Sequence, residues 1–189
     1  MVKSILFVGV GGQGTILTSK ILVEGLVELG YDVKMSEIHG MSQRGGSVVT
    51  QIRYGDSVSA PNVGEGEADL IVAFEKIEAL RYLSYLKREG TMIMDVHEIY
   101  PMTVLTGAEA YPHDAIEQLK SAGVNVEVIR AAQIAEELGS PRSQNIVLLG
   151  ALIRSLGFEK VDWPAFISKN VPEKTRETNI KAFYAGFAR

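Results

Sequence analysis

Residues Ser4 to Gly9 include an unbroken apolar run, Ile5-Leu6-Phe7-Val8, that leads directly into the glycine-rich string Gly9-Val10-Gly11-Gly12-Gln13-Gly14. A run without polar alternation predicts a strand buried on both faces, as in a parallel sheet covered by helices. Beyond the glycines, Thr15 to Leu29 carries Ile16, Leu17, Ile21, Val23, Leu26 and Val27 at helical spacing, and Gly30 supplies a stop. Tyr31 to Ile38 predicts the next strand. Strand, helix and strand in this order make a βαβ unit, with parallel strands and a right-handed crossover. That unit commits the chain to the α/β class.

The rest of the chain extends the pattern. Ser47 to Tyr54 alternates, with Val48, Thr50, Ile52 and Tyr54 against Val49, Gln51 and Arg53, and predicts a strand with one wetter face. Asp56 to Glu67, rich in Ser, Gly and Glu, reads as a loop inside one domain. Asp69 to Phe74 predicts a buried strand, Glu75 to Arg88 a helix ended by Gly90, and Thr91 to Val96 a strand. His113 to Ala122 predicts a helix, Val124 to Ile129 a strand, and Ala131 to Leu138 a short helix. Ser140 before Pro141 signals the start of a helix that runs to Leu156 and stops at Gly157. A last helix follows Pro172, with Ile180, Phe183 and Phe187 on one stripe. The expectation is a single domain over residues 1–189: a doubly wound, mostly parallel α/β sheet with helices on both faces and a helical C-terminal segment.

Composition narrows the function. The formal net charge is −4, with lysines and arginines scattered singly, so nothing points to nucleic acid. The apolar run Ile5 to Val10 is short and meets glycines at once, so it reads as neither a signal peptide nor a membrane span. The chain has no cysteine. It therefore offers no thiolate to an iron–sulfur cluster or a Cys-type zinc site, and its composition fits the cytoplasm.

Gly9, Gly11 and Gly14 fit G-x-G-x-x-G between a strand and a helix, with Gly12 and Gln13 inside it. Free N–H groups at the positive end of a helix favour an anion there. Glu37 closes the second strand 23 residues after Gly14, where a dinucleotide-binding domain places the acid that holds a ribose. One reading is thus a stand-alone NAD- or FAD-binding oxidoreductase of Rossmann type. The other is that the glycines only allow a strand and a helix to pack closely. A peculiar polar loop, where a dehydrogenase starts another crossover helix, weakens the first.

That loop, Glu37-Ile38-His39-Gly40-Met41-Ser42-Gln43-Arg44-Gly45-Gly46-Ser47, gathers Glu37, His39, Gln43, Arg44 and Ser47 among glycines at the carboxyl end of a strand. Ligands of open α/β sheets bind at that edge. Arg44 brings a fixed charge and a fork of donors suited to a phosphate or a carboxylate. Gly45 and Gly46 let the backbone bend beside it, and His39 is of the one residue type whose ordinary titration lies near neutral pH. The loop is too polar for a core and too rich in glycine for a plain solvent face, so a functional or subunit-interface role is expected.

Together, Gly9 to Gly14 and Ser36 to Val48 closely resemble the gamma-type subunit of 2-oxoacid:ferredoxin oxidoreductases. The wording His39-Gly40-Met41-Ser42-Gln43-Arg44-Gly45-Gly46 is most like the beta subunits of the indolepyruvate branch, and Asn145 to Leu152 resembles the family's late helix. The resemblance covers nearly the whole chain. It implies a part in a complex that converts a 2-oxoacid and coenzyme A to an acyl-CoA and CO2, with ferredoxin as electron acceptor. It places thiamine diphosphate, Mg and [4Fe–4S] clusters on a large partner subunit and leaves this chain without a cofactor. The absence of cysteine agrees, as does the absence of the Gly-Asp-Gly element of thiamine enzymes. Glu37, His39, Gln43, Arg44, Gly45, Gly46 and Ser47 become candidates for a site shared with the partner. Gly9, Gly11, Gly12, Gln13 and Gly14 become an anion-binding or close-packing turn. Homodimerisation stays open.

Smaller signals are weaker. Asp95-Val96-His97-Glu98, with the distant His113-Asp114, hints at metal ligands but reads better as a polar strand end. Trp163, beside Pro164 and Phe166, is expected to anchor a turn or a partner surface.

Overall fold

A computed structural model describes residues 1–39 and 45–189, with only the backbone of His39. Six strands form one sheet in the order β2-β3-β1-β4-β5-β6. They are β1 (Lys3–Val10), β2 (Asp32–His39), β3 (Ser47–Gly55), β4 (Ala68–Ala73), β5 (Leu86–Asp95) and β6 (Asn125–Ile129). β1, β4, β5 and β6 pair in parallel, while β3 is antiparallel to both β1 and β2. The expected mostly parallel sheet is therefore present, with one modification. β1 and β2 run in the same direction but are not neighbours, because β3 slots between them.

Among the described residues, eight α-helices accompany the sheet: α1 (Thr15–Glu28), α2 (Lys76–Arg81), α3 (Met102–Leu105), α4 (Ala115–Ser121), α5 (Ala131–Glu137), α6 (Gln144–Leu156), α7 (Trp163–Asn170) and α8 (Arg176–Phe187). The core on one side of the sheet joins Phe7, Ile52 and Val72 to residues of α1, α5, α6, α7 and α8. On the other side, Leu6, Val8 and Ile71 pack with Ala79 of α2 and Leu119 of α4. Alternate residues of β1 thus serve opposite cores, which is why its sequence shows no polar alternation.

Several boundaries differ from expectation. The helix predicted over Glu75 to Arg88 ends at Arg81; a 3-10 turn over Leu83–Tyr85 follows, and β5 begins at Leu86. Gly90 is not a helix stop but a strand residue, where a Cβ would lie 3.1 Å from the Ala68 carbonyl oxygen. The wetter face predicted for β3 is largely covered: Gln51 is buried and accepts a bond from the Val63 N–H of the 56–67 loop. In α1, Ile16 and Val27 face outward and Leu22 faces inward, because Thr18, Ser19 and Gly25 share the buried side. Gly25 is the seat of Trp163, whose ring a Cβ there would meet at 2.2 Å. Trp163 is buried at the start of α7, an unpredicted helix, and so belongs to this chain's own core rather than to a partner surface.

The late helix α6 is buried at every position from Gln144 to Ile153. It tolerates no gap above it, and α8 closes over it at glycine contacts. A Cβ on Gly186 would stand 1.8 Å from the Val147 carbonyl oxygen, and one on Gly150 would stand 2.0 Å from that of Phe183. Backbone cannot rotate away as a side chain can. Gly186→Ala is therefore expected to destabilise the chain by about 3 kcal/mol, the upper range for overpacked cores, as a lower midpoint in urea unfolding.

Candidate functional site

Because β3 runs antiparallel to β1, its first residues meet the last residues of β1. Val10 pairs with Ser47 and Gly9 with Val48. The Gly11 N–H donates to the Gly46 carbonyl at 2.9 Å. The two glycine-containing motifs, far apart in sequence, are thus one structure at the carboxyl edge of the sheet. The chain turns of β4 and β5 end at the same edge and complete its floor.

The Gly9–Gly14 turn is closed by its own side chains. Gln13 folds back so that its Oε1 accepts from the Val10 N–H at 2.7 Å and its Nε2 donates to the Phe74 carbonyl at 2.8 Å. Gly12 and Gly14 have φ of +105° and +79°, a region that costs a residue with a Cβ. A Cβ on Gly14 would also meet Asn145 Nδ2 at 2.5 Å, whereas one on Gly12 would meet nothing within 4 Å. Asn145 Nδ2 donates to the Gly14 carbonyl at 3.2 Å. Its neighbour Gln144 donates to Asp95 Oδ2 at 2.7 Å and to the Phe74 carbonyl at 3.3 Å. The start of α6 therefore ties the turn to the ends of β4 and β5.

Around Ser47 lies a second polar group that the sequence analysis did not single out. Ser47 Oγ donates to Glu78 Oε2, and Arg81 Nε donates to Glu78 Oε1 at 3.0 Å. Glu75 caps α2 by accepting from the Glu78 N–H at 3.1 Å, and also accepts from the Ile99 N–H and the Tyr111 hydroxyl. Glu75 and Glu78 are only 1% and 3% exposed. Burial raises the Glu78 carboxyl above the ordinary range, against the lowering effect of Ser47 and Arg81, and nearby Glu75 adds to the rise. Burial, with the bond to Glu75, likewise pushes the Tyr111 phenol up. The only sequence signal for this cluster was two acids three residues apart after a buried strand, a pattern that exposed helices share.

The sequence candidates divide as follows. Gly45 and Gly46 lie at the edge, Gly45 with a φ of +77°. Ser47 is there too, but its hydroxyl is used within its own chain. Gln43 and Arg44 lie outside the described residues, as does the side chain of His39. Glu37 sits on edge strand β2, opposite Thr50 of β3, which is in turn opposite Phe7 of β1. Two strand spacings, about 9–10 Å, separate β2 from β1. An acid that holds a ribose belongs on the strand next to β1, so the Rossmann reading loses its second element, while Gln13 fills its first. Nothing in the structure supports a stand-alone dinucleotide oxidoreductase.

The structure does not bring the polar side chains of Asp95-Val96-His97-Glu98 together at one point. Asp95 is fully buried and accepts from the Ala131 and Ala132 N–H groups at the start of α5. Glu98 pairs instead with Lys76 and His113, at 2.7 and 3.2 Å, and Lys76 foremost holds its carboxyl below the usual range. Among the described residues, no three His, Cys, Asp or Glu side chains gather as a ligand set.

Between Val10, Gly45, Ser47, Glu78 and Arg81 the described residues leave a cavity of about 50 Å³. That is room for water, whereas small-molecule sites run to about 300 Å³ and above. Tyr100, Met102 and Leu105 stand exposed beyond it.

Comparison with known proteins bears on this edge. The family model described as pyruvate ferredoxin/flavodoxin oxidoreductase matches residues 4–189. The indolepyruvate oxidoreductase subunit IorB of Pyrococcus horikoshii is 38% identical over 190 residues, which span 97% of this chain and 93% of the relative. The crystal structure of a keto/oxoacid ferredoxin oxidoreductase gamma subunit from Geobacter sulfurreducens is similar with a TM-score of 0.71 at 25% identity, over 98% of this chain and 96% of that one. A 2-oxoglutarate:ferredoxin oxidoreductase from Magnetococcus marinus, with 2-oxoglutarate, coenzyme A and succinyl-CoA bound, shares the fold. There the TM-score is 0.72 at 21% identity, over 99% of this chain and 30% of that one.

Two outcomes test the geometry. Gly12→Ala is expected to cost about 1–2 kcal/mol for its left-handed backbone alone. Gly14→Ala should cost more by about 1–3 kcal/mol, since it also displaces Asn145 from a buried hydrogen bond; denaturant midpoints of the two variants give the order directly. The second outcome concerns Glu78. A carboxyl whose folded value is raised stabilises the fold fully below its unfolded value, near 4.5, and loses that contribution as the pH rises through the folded value. The stability of the native chain minus that of Glu78→Gln should therefore fall as the pH is raised from about 4 to about 7. A difference that stays constant over urea titrations in that range would show that the carboxyl is not perturbed.

Proposed function

This chain belongs to the pyruvate ferredoxin/flavodoxin oxidoreductase family, and on that premise we propose that it serves as the cofactor-free subunit of a 2-oxoacid:ferredoxin oxidoreductase complex. The reaction removes CO2 from a 2-oxoacid, joins the acyl group to coenzyme A and delivers the electrons to ferredoxin. The observation that carries the reading is the meeting of Gly11 with Gly46 at the carboxyl edge, around a cavity of only about 50 Å³ among the described residues. An edge built this carefully and left this small is one wall of a site, not a whole one. A partner subunit supplies the opposite wall, next to the exposed Tyr100, Met102 and Leu105.

The prosthetic groups of such complexes do not fit this chain. Without cysteine it has no thiolate for a [4Fe–4S] cluster, and no Gly-Asp-Gly sequence to seat a metal and a thiamine diphosphate. Thiamine diphosphate, Mg and the clusters are assigned to a large partner subunit, and coenzyme A to the complex. The chain is read as a single domain over 1–189, acting in the cytoplasm without nucleic acid or membrane. No helix among the described residues is long and apolar enough to cross a bilayer. Indolepyruvate or another aryl pyruvate is the favoured substrate, on the wording of the 39–47 loop and the IorB relatives.

Arg44, with His39, Gln43 and Glu37 beside it in sequence, is proposed to face that shared site and to meet an anion of the substrate, coenzyme A or the partner. Removing one member of a desolvated charged pair costs about 2 kcal/mol or more. The complex reconstituted with Arg44→Ala is therefore expected to reduce viologen with indolepyruvate at roughly one-thirtieth of the native rate or less, while the variant alone melts as the native chain does. Arg44→Lys should recover part of the loss. Native rates with Arg44→Ala would leave the chain a scaffold only.

A further inference from the structure

We infer that Glu78 is the positioning residue for the carboxyl end of the 39–47 loop, acting through Ser47; the inference rests on the reading that this loop carries the shared site. The loop returns to the sheet at Gly46 and Ser47. It is fixed there twice, by the Gly11 N–H on the Gly46 carbonyl and by Glu78 on the Ser47 hydroxyl. The first bond is backbone and holds the strand register. The second is a side-chain tether to a different element, α2, and it fixes the first residue of β3, where the loop ends.

Packing gives no reason for a carboxylate at position 78. Ala79 is the residue that seats α2 on the sheet core, and the Glu78 side chain is only 4% exposed. Burying a charge costs more than a polar bond returns unless several partners meet it. Here every neighbouring element contributes one. Ser47 comes from β3, Arg81 from the next turn of α2, and Glu75 holds the Glu78 backbone N–H while itself held by Tyr111 and the Ile99 N–H. This costly group is sited on α2 at the carboxyl edge of the sheet, against Ser47 where the loop ends. Such groups concentrate at functional sites. Ser47 is accordingly a tethered residue of the loop and Glu78 its tether.

The test uses the reconstituted complex and viologen reduction with indolepyruvate. Ser47→Ala and Glu78→Leu are each expected to lower kcat/KM about tenfold. The double variant should be no worse than the poorer single one, because both break the same tether. Ser47→Thr keeps the hydroxyl and should restore most of the activity, a rescue that a purely space-filling role would not show. If Glu78→Leu fails to fold, the Ser47 pair decides the question alone. Losses that add in the double variant, or a Ser47→Thr as poor as Ser47→Ala, would overturn the tether. So would native activity in Ser47→Ala beside an Arg44→Ala that has lost it, and that result leaves the shared site standing. Native activity in both variants removes the shared site, and the tether with it.

Discussion

β3 hydrogen-bonds to β1 along one edge and to β2 along the other, eight residue pairs on each side. A hairpin-like return from β2 has thus been driven into the place where a second parallel strand would lie. Three consequences follow from that one insertion. The loop between β2 and β3 ends beside the glycine turn, so two separate motifs become neighbours. Glu37 is carried outward, away from the turn it would serve in a nucleotide-binding fold. Ser47 is brought over α2, within reach of Glu78. No side chain at the edge would stand where it does if β1 and β2 were adjacent.

The edge is then stitched from behind chiefly by amides. Gln13 satisfies the Val10 N–H and the Phe74 carbonyl, Gln144 joins Phe74 to Asp95, and Asn145 holds Gly14. Asp95 in turn caps α5. Neutral amides both donate and accept, so they can close a buried network without leaving a charge uncompensated. Asp95 brings one carboxyl into this network, met by Gln144 and two backbone N–H groups. Glu75 and Glu78 lie to one side of it, beside Ser47.

The parallel strands, the glycine turn and α6 were legible because each follows from a strong local signal: unbroken apolar runs, paired glycines, a proline at a helix start. The position of β3 was not. Its alternation of Val48, Thr50, Ile52 and Tyr54 announces a strand but cannot say which neighbour it takes, since pairing is a long-range property. Gly90 was misread for the same reason, and so was one of the two alternatives for Trp163. A glycine beside a helix pattern reads as a stop, and an isolated tryptophan as an anchor for a turn or a partner surface, until Ala68 and Gly25 are known to lie against them; Trp163 does hold the Phe158 carbonyl of the turn before α7. The loop motif pointed correctly to the edge, through Gly45, Gly46 and Ser47. Glu75 and Glu78 escaped notice because acids in a first helical turn are ordinary. Only their burial sets them apart.

The closure of α8 over α6 bears on how the chain comes apart. Terminal helices usually fray independently of the rest, because water readily replaces what they cover. Here the covered element is a helix buried at every position from Gln144 to Ile153. The glycine contacts leave no partial separation in which one helix stays packed while the other loosens. Detachment of α8 strips the cover from α6, and α6 in turn holds the glycine turn through Asn145. The last helix in the sequence is therefore bound into the cooperative unit that includes the candidate site, and its opening is an event of the whole domain rather than of its end.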